Sequence, residues 1–214
     1  MQYNEKEIKE GIQLHEIRTD KFKTNLIAVF LSMPITREYV TLNALISAVL
    51  RRGSKNMPTQ EKISQELEEM YGANFDCGLD KTGDNHVLKF YLETINDNFL
   101  PESDENILKK GVDKLLEIIF DPVLENGIFK EEYVKQEKET LRRIIEGKTD
   151  NKARYALDRC IEEMYKGQPY GLYKYGYIED LEKITTQSLY EYYEKMISQC
   201  KIDIFISGNI DKSK

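Results

Sequence analysis

Histidine and cysteine, which supply most zinc ligands and all disulfides, are scarce in this chain of 214 residues. The two histidines, His15 and His86, fall in separate predicted hairpins, whereas a zinc site needs three or four convergent ligands. The cysteines, Cys77, Cys160 and Cys200, are odd in number, widely spaced and form no C-x-x-C pair. This excludes a disulfide framework and a zinc ribbon, and it predicts reduced, mostly structural thiols. Cys77 could act as a further metal ligand beside the two histidines, but its spacing in the sequence does not favour a metal site.

The chain also lacks long apolar runs and an excess of positive charge. Its longest apolar stretches, such as 26–31, have the length of a strand, well short of the roughly 18 residues of a membrane span. The opening residues, MQYNEKEIKEG, contain no basic segment followed by an apolar one, so no secretory signal is predicted. The net charge of −7 argues against nucleic-acid binding, because phosphates need a basic face. We therefore expect a cytoplasmic protein without nucleic-acid or membrane partners.

Two common catalytic motifs are missing as well, since the sequence has neither the G-x-S-x-G elbow of serine hydrolases nor the G-x-x-x-x-G-K phosphate loop. Its composition, 40% hydrophobic and 32% charged, is typical of a globular protein with a core. Apolar periodicity divides the chain into strands and helices. The predicted strands are 11–18, 22–33, 73–79, 86–95 and 201–208. The predicted helices are 39–50, 59–70, 105–120, 130–146, 153–165 and 186–197.

The order of these elements predicts an α+β fold in one domain. Strands 11–18 and 22–33 are expected to form an opening antiparallel pair around a turn at residues 18–21. Strands 73–79 and 86–95 are expected to form a hairpin around the polar turn 80–85. Because strands and helices are grouped separately, we predict a single mainly antiparallel sheet with helices packed on one face.

Several helix ends carry their own signals. Thr36 and Ser103 are predicted N-caps, and Gly53 is a predicted helix stop. Thr59 and Lys62 form half of a capping box, which would have Glu or Gln at the second position.

Tyrosine and glycine crowd the segment 165–177. Tyrosines suit contact with a peptide or protein, because they offer a large surface with few rotamers. The alternative is that they pack over the helix layer and close the core, and we favour this second interpretation. The tyrosines concerned are Tyr170, Tyr173, Tyr175 and Tyr177.

The segment TLNALISAVLRRGSKNMPTQEKISQELEEMYGANFDCG, residues 41–78, resembles the metal-site region of the pitrilysin/insulinase-type zinc peptidases. That family reads H-x-x-E-H, a short apolar stretch, a Gly followed by Ser or Thr, a helix ending near Gly-Ala, and then a strand. Gly53-Ser54, the helix 59–70 and Gly72-Ala73 lie in the matching places.

The resemblance extends from about residue 11 to 210. Residues 100–141 resemble the family's next helices, including the positions of Pro122, Phe129 and Glu132. Residues 150–171 are similar to a bacterial subgroup often found beside a second, intact homologue. The resemblance implies that 1–214 is a single peptidase-like α+β domain, the N-terminal half of a longer two-domain protein.

The positions that carry catalysis in active members hold other residue types in this sequence. On the active H-x-x-E-H helix, two histidines four residues apart hold zinc, and the Glu between them acts as general base. Counting back from Gly53, these positions fall on Ala44, Ser47 and Ala48. A methyl group cannot bind zinc, and Ser47 is no strong base at neutral pH. Since residues 40–53 contain no His or Glu, a shift of one position in the alignment does not restore the motif.

The family's third zinc ligand is a Glu on a later helix. Aligned on Asp150-Asn151, its position falls near Ile144, with Glu139 and Glu146 within about a turn, and the sequence leaves open which residue is equivalent. Glu132, Glu139 and Glu146 are spaced seven apart, which is typical of a solvated helix face.

The resemblance implies a peptidase homologue that binds peptide or unfolded polypeptide without cleaving it. We predict no catalytic, cofactor-binding or metal residues, although zinc is the cofactor of active relatives. The favoured function is a non-catalytic subunit that pairs with an active zinc-peptidase homologue in peptide processing. Two alternatives stay open: a zinc-dependent metalloendopeptidase with an unusual site, and a standalone protein-interaction module.

Overall fold

The computed structural model describes residues 1–100 and 106–210. Six strands form one sheet in the order β1-β2-β8-β3-β5-β4, in which β2 and β8 are parallel and every other neighbouring pair is antiparallel. A separate two-stranded ribbon consists of β6 and β7. The strands are β1 Gln2–Lys9, β2 Ile12–Arg18, β3 Thr24–Pro34, β4 Asn74–Thr82, β5 Asn85–Ile95, β6 Leu124–Glu125, β7 Ile128–Phe129 and β8 Lys201–Gly208.

The helices pack on one face of the sheet. Alternate residues of the neighbouring interior strands β3 and β5 point into this layer, among them the fully buried Leu31 and Phe90. The predicted α+β architecture with a single mainly antiparallel sheet is therefore confirmed. Every helix in the described residues is too short or too polar to traverse a lipid bilayer. The helices are α1 Val40–Leu50, α2 Gln60–Glu69, α3 Ile107–Phe120, α4 Glu131–Glu146, α5 Lys152–Met164, α6 Ile178–Lys183 and α7 Thr186–Gln199.

The predicted pairing of the first two strands, 11–18 with 22–33, is wrong. Strand β8 lies between β2 and β3 and pairs with both. The connection after β2 passes over the end of β8, where the Thr19 N–H donates to the Gly208 carbonyl at 2.9 Å. The antiparallel partner of β2 is β1, which the sequence did not reveal. Half of its residues are charged and nearly all are exposed, which is typical of an edge strand, and they carry no apolar alternation.

The ends of several elements also differ from the predictions. Strands β4 and β5 continue to a two-residue turn, Gly83-Asp84, so the predicted turn 80–85 is too long. The Thr36 hydroxyl accepts from the Tyr39 N–H at 3.2 Å, one turn before α1 begins, and therefore does not cap it. Thr59 caps α2 as predicted. Ser103 lies outside the described residues, and the N-cap of α3 is Asn106.

The tyrosine-rich segment packs against α1 and the β4–β5 hairpin, and Tyr175 is the one of its four named tyrosines that packs against the hydrophobic core of the described residues. The Tyr177 N–H donates to the Thr41 hydroxyl at 3.1 Å. Gly176, at φ +78°, approaches so closely that a Cβ would lie 2.1 Å from the Thr41 oxygen. The Lys81 ammonium donates to the carbonyls of Tyr170 and Leu172 at 2.7 and 2.8 Å. The short helix α6 that follows this segment was not predicted.

A series of buried polar side-chain contacts fixes α1 on the sheet. The side chain of Asn43 on α1 contacts His86 Nδ1 on β5 at 3.2 Å and accepts from the Tyr192 hydroxyl on α7 at 2.8 Å. Asn43 and His86 are fully buried. Because buried polar groups are costly unless paired, these contacts favour one position of α1 over small shifts along the sheet.

The protonation of His86 is expected to destabilise the fold in mild acid. Burial, with the nearby ammonium groups of Lys81 and Lys174, lowers the pKa of His86 from 6.5 to about 4. The unfolded chain takes up this proton near pH 6.5 and the folded chain only near pH 4. The free energy of unfolding should therefore fall as the pH drops through this window, by up to about 3 kcal/mol.

The variant His86→Gln removes this titration while keeping a side chain that can accept from Asn43. In urea unfolding at a series of pH values, the wild type should lose stability more steeply than the variant between neutral pH and pH 4. Parallel profiles for the two proteins would contradict the role assigned to His86.

Candidate functional site

The positions that match the peptidase motif line a cleft where α1, α4 and the edge strand β4 meet. This cleft has a volume of about 290 Å³. Helix α1 contributes Ala44, Ser47 and Ala48, which share one face because they are spaced i, i+3 and i+4. The predicted motif positions therefore come together at a concave surface. The other lining residues are Arg51, Arg52, Gln60, Cys77, Gly78, Leu79, Glu137, Thr140, Leu141, Ile144 and Tyr175.

The residues of α1 in this cleft do not fit a zinc ion. Ala44 and Ala48 present methyl groups, which have no lone pair to donate. The Ser47 hydroxyl donates to the carbonyl of Ala44 at 2.9 Å, so it is bonded within its own helix. Within residues 1–100 and 106–210, no group of three or more His, Cys, Asp or Glu side chains is placed to hold a metal ion.

The carboxylate that α4 directs into this cleft is Glu137, which no motif in the sequence singled out. Ile144, the position counted from the family pattern, does line the cleft. Glu139 lines a different cleft, against Lys135 and Arg142, and Glu146 is exposed and lines neither. A helical pattern could have found Glu137, since it lies on the face defined by the buried Val134 and Leu141.

Arginine balances the charge of Glu137. The Arg52 guanidinium lies 3.4 Å from its carboxylate. Burial raises the pKa of Glu137, while Arg52 and Arg51 act in the opposite direction. The carboxylate is thus half-buried, and two cations face it across the cleft.

Cys77 lines the cleft with an unreactive thiol. Burial raises the pKa of its thiol to about 12, against the opposite effect of Arg51, so the thiol stays neutral at physiological pH. All three cysteines are free, and Cys77 and Cys200 are half-buried while Cys160 is exposed.

The two histidines do not form a common site, because they lie on opposite faces of the sheet. His86 is part of the buried contact with Asn43 on the helix side of the sheet. His15 lies on the opposite face, where its ring stacks on Phe205 at 4.1 Å and Nε2 contacts Asp203 at 3.1 Å.

Comparisons with known proteins agree with this geometry. The chain is 37% identical over 204 residues to the probable inactive metalloprotease YmfF of Bacillus subtilis (strain 168), a match that covers 95% of the chain and 48% of that protein. The structure of a conserved protein from Enterococcus faecalis V583 has a TM-score of 0.90 at 31% identity, covering 99% of the chain and 49% of that one.

A peptidase M16 inactive domain from Pseudomonas fluorescens shares the fold, with a TM-score of 0.76 at 15% identity over 100% of the chain and 48% of that one. No protein-family model matches the chain. The chain spans about half the length of the relatives it matches. With the family's residue pattern placed around a cleft whose motif positions hold Ala44, Ser47 and Ala48, the chain belongs to the pitrilysin-type (M16) peptidase family as a degenerate, first-half domain.

Proposed function

We propose that the chain binds an extended polypeptide along β4 without cleaving it, within a protein that pairs with an active zinc-peptidase homologue. The observation that carries this proposal is the position of an unpaired sheet edge, β4, directly beside a cleft whose motif positions hold Ala44, Ser47 and Ala48. An edge strand binds a peptide through backbone hydrogen bonds, which tolerate many sequences.

The hairpin geometry of β4 identifies the backbone groups open to a peptide. In a two-residue hairpin the residues flanking the turn, here Thr82 and Asn85, form a hydrogen-bonded pair. The residues of β4 that alternate with this pair, starting at Lys81, therefore direct their N–H and C=O away from β5. The Lys81 N–H is bonded to its neighbour Asp80 at 2.9 Å, and the Leu79 carbonyl accepts from Lys174 at 3.4 Å.

The outward groups of Phe75 and Cys77 are left for a peptide. Both residues also turn their side chains toward the helix layer, because Cys77 pairs with Phe90 and Phe75 with Leu92, which are buried there. A peptide residue bound opposite Cys77 would place its own side chain over the cleft, since cross-strand neighbours point to the same face.

The other edge of the sheet, β1, is a poorer candidate. Its sequence QYNEKEIK carries four charged residues, and seven of its eight residues are exposed. Charged edge strands discourage strand addition. The peptide-binding role is therefore assigned to β4.

The side chains at the motif positions of the cleft favour binding of a peptide without its hydrolysis. Peptide hydrolysis by this family's chemistry needs a metal-bound water and a general base, and Ala44, Ser47 and Ala48 can provide neither. No observation in the described residues specifically favours a metallopeptidase with an unusual site. A cytoplasmic location stays a prediction of the sequence.

Pairing with an active homologue is supported by the family resemblance and by the name of the Bacillus subtilis relative, a probable inactive metalloprotease. A standalone interaction module, the remaining alternative, would bind proteins unrelated to peptidases.

Peptide binding through the backbone can be tested with alternately N-methylated ligands. An unstructured peptide methylated at one set of alternate amides should lose about two hydrogen bonds to β4, worth about 1 kcal/mol each, and bind about thirtyfold more weakly. Methylation of the other set should leave the affinity within about twofold, because those amides point to solvent. Fluorescence anisotropy with the two peptides measures the difference, and equal losses for both sets would contradict strand addition.

The partner can be tested by co-expressing the full-length protein with an intact H-x-x-E-H homologue from the same genome. We expect the two to co-purify and the homologue's peptidase activity to change when the pair forms. Separate elution with unchanged activity would remove the pairing proposal and leave the interaction module in its place.

A further inference from the structure

The lining of the cleft changes character along α1. At the Ala44 end, the walls are apolar and include Leu79, Ile144 and Tyr175. At the other end, the walls carry the charges of Arg51, Arg52 and Glu137. Seven residues separate Ala44 from Arg51, so the two ends lie roughly 10 Å apart along the helix axis.

The charged end has a net positive charge. Arg52 is engaged with Glu137 at 3.4 Å and also stacks over the ring of Tyr133 at 4.9 Å. Arg51 is exposed and forms no ion pair with any residue in the described part of the chain. Two guanidinium groups thus face one carboxylate, and the guanidinium of Arg51 is left open to an incoming ligand. This local positive charge contrasts with the overall net charge of −7.

The apolar end is one part of a cleft whose whole volume, about 290 Å³, corresponds to roughly ten water molecules in the liquid. Ala44 and Ala48 are small, and the space above them is bounded by Ile144 and Tyr175. Filling such a space with a Leu-sized or Phe-sized group removes apolar surface from water on both partners.

The spacing of a bound strand connects the two ends. Side chains two residues apart on one face of a strand are separated by about 6.7 Å. This spacing is shorter than the distance between the two ends of the cleft, and the long Arg51 side chain can span the difference. A peptide on β4 can therefore place one side chain in the apolar end and the next side chain on the same face near the guanidinium.

We propose that the cleft selects extended peptides that carry a Leu- or Phe-sized residue for the Ala44 end and, two positions away, an acidic residue for Arg51. This inference rests on the proposed function and specifies which peptides the same site prefers. A basic residue at the second position meets Arg51 and is repelled. The carboxylate of Glu137 does not compensate, because Arg52 already pairs with it.

The preference can be measured with a panel of unstructured peptides of otherwise identical sequence. The members carry Leu and Glu, Leu and Gln, Leu and Lys, or Ala and Glu at the two positions, each in both orders because strand addition can be parallel or antiparallel. For one order, Glu should bind up to about fivefold more tightly than Gln, with Lys weaker still. Replacing Leu with Ala should weaken binding by about tenfold or more.

Two protein variants assign the preference to the cleft. Arg51→Gln should abolish the difference between the Glu and Gln peptides, whereas Arg143→Gln, which removes the same charge from an exposed position of α4 outside the cleft, should keep it. Ala48→Leu fills the apolar end and should abolish the difference between Leu and Ala. Since Ala48 is only half-buried and faces the cleft, this substitution is compatible with folding.

The failures of the two proposals are distinguishable. Equal binding of all peptides, or a preference that persists in Arg51→Gln and Ala48→Leu, would overturn the selectivity while leaving strand addition in place. Absence of binding for every peptide would overturn both. A preference for Lys over Glu would overturn the charge assignment.

Discussion

The buried contact between Asn43 and the two side chains His86 and Tyr192 is the constraint on which the rest of this structure depends. It ties α1 to β5 on one side and to α7 on the other, at 3.2 and 2.8 Å. The residue that follows Asn43 is Ala44, so this contact also sets the direction in which the motif positions face. Two residues before Asn43, the close approach of Gly176 to Thr41 holds the start of the helix.

A helix held in this way keeps its geometry when its functional side chains change. Ala44 and Ala48 face α4 and the edge strand β4, at the positions where the family resemblance places the zinc-binding histidines of active members. The space they leave is bounded by an edge strand that can hydrogen-bond to a peptide. Under the proposed function, the chain keeps the groove for binding a peptide, whereas Ala44, Ser47 and Ala48 cannot supply the family's catalytic chemistry.

The sequence predicted local features better than distant ones. The boundaries of α1 and of β8 followed from apolar patterns within those segments. The order of strands did not, because β8 enters between β2 and β3 from the far end of the chain. For the site, the family pattern located Ala44 and Ala48. Glu137 was missed although the spacing of Val134 and Leu141 puts it on the buried face of α4, because only the packing of α4 across α1 shows that this face meets the cleft.

The central claim is that this cleft is the peptidase metal site with its ligands replaced, and zinc binding by the double variant Ala44→His with Ala48→His tests it most directly. Isothermal titration at neutral pH should show about one zinc ion per chain for the double variant and none for the wild type, because the two imidazoles would face Glu137 across the cleft. Adding Glu137→Gln should weaken the binding. A correctly folded double variant with no more affinity for zinc than the wild type would contradict the account.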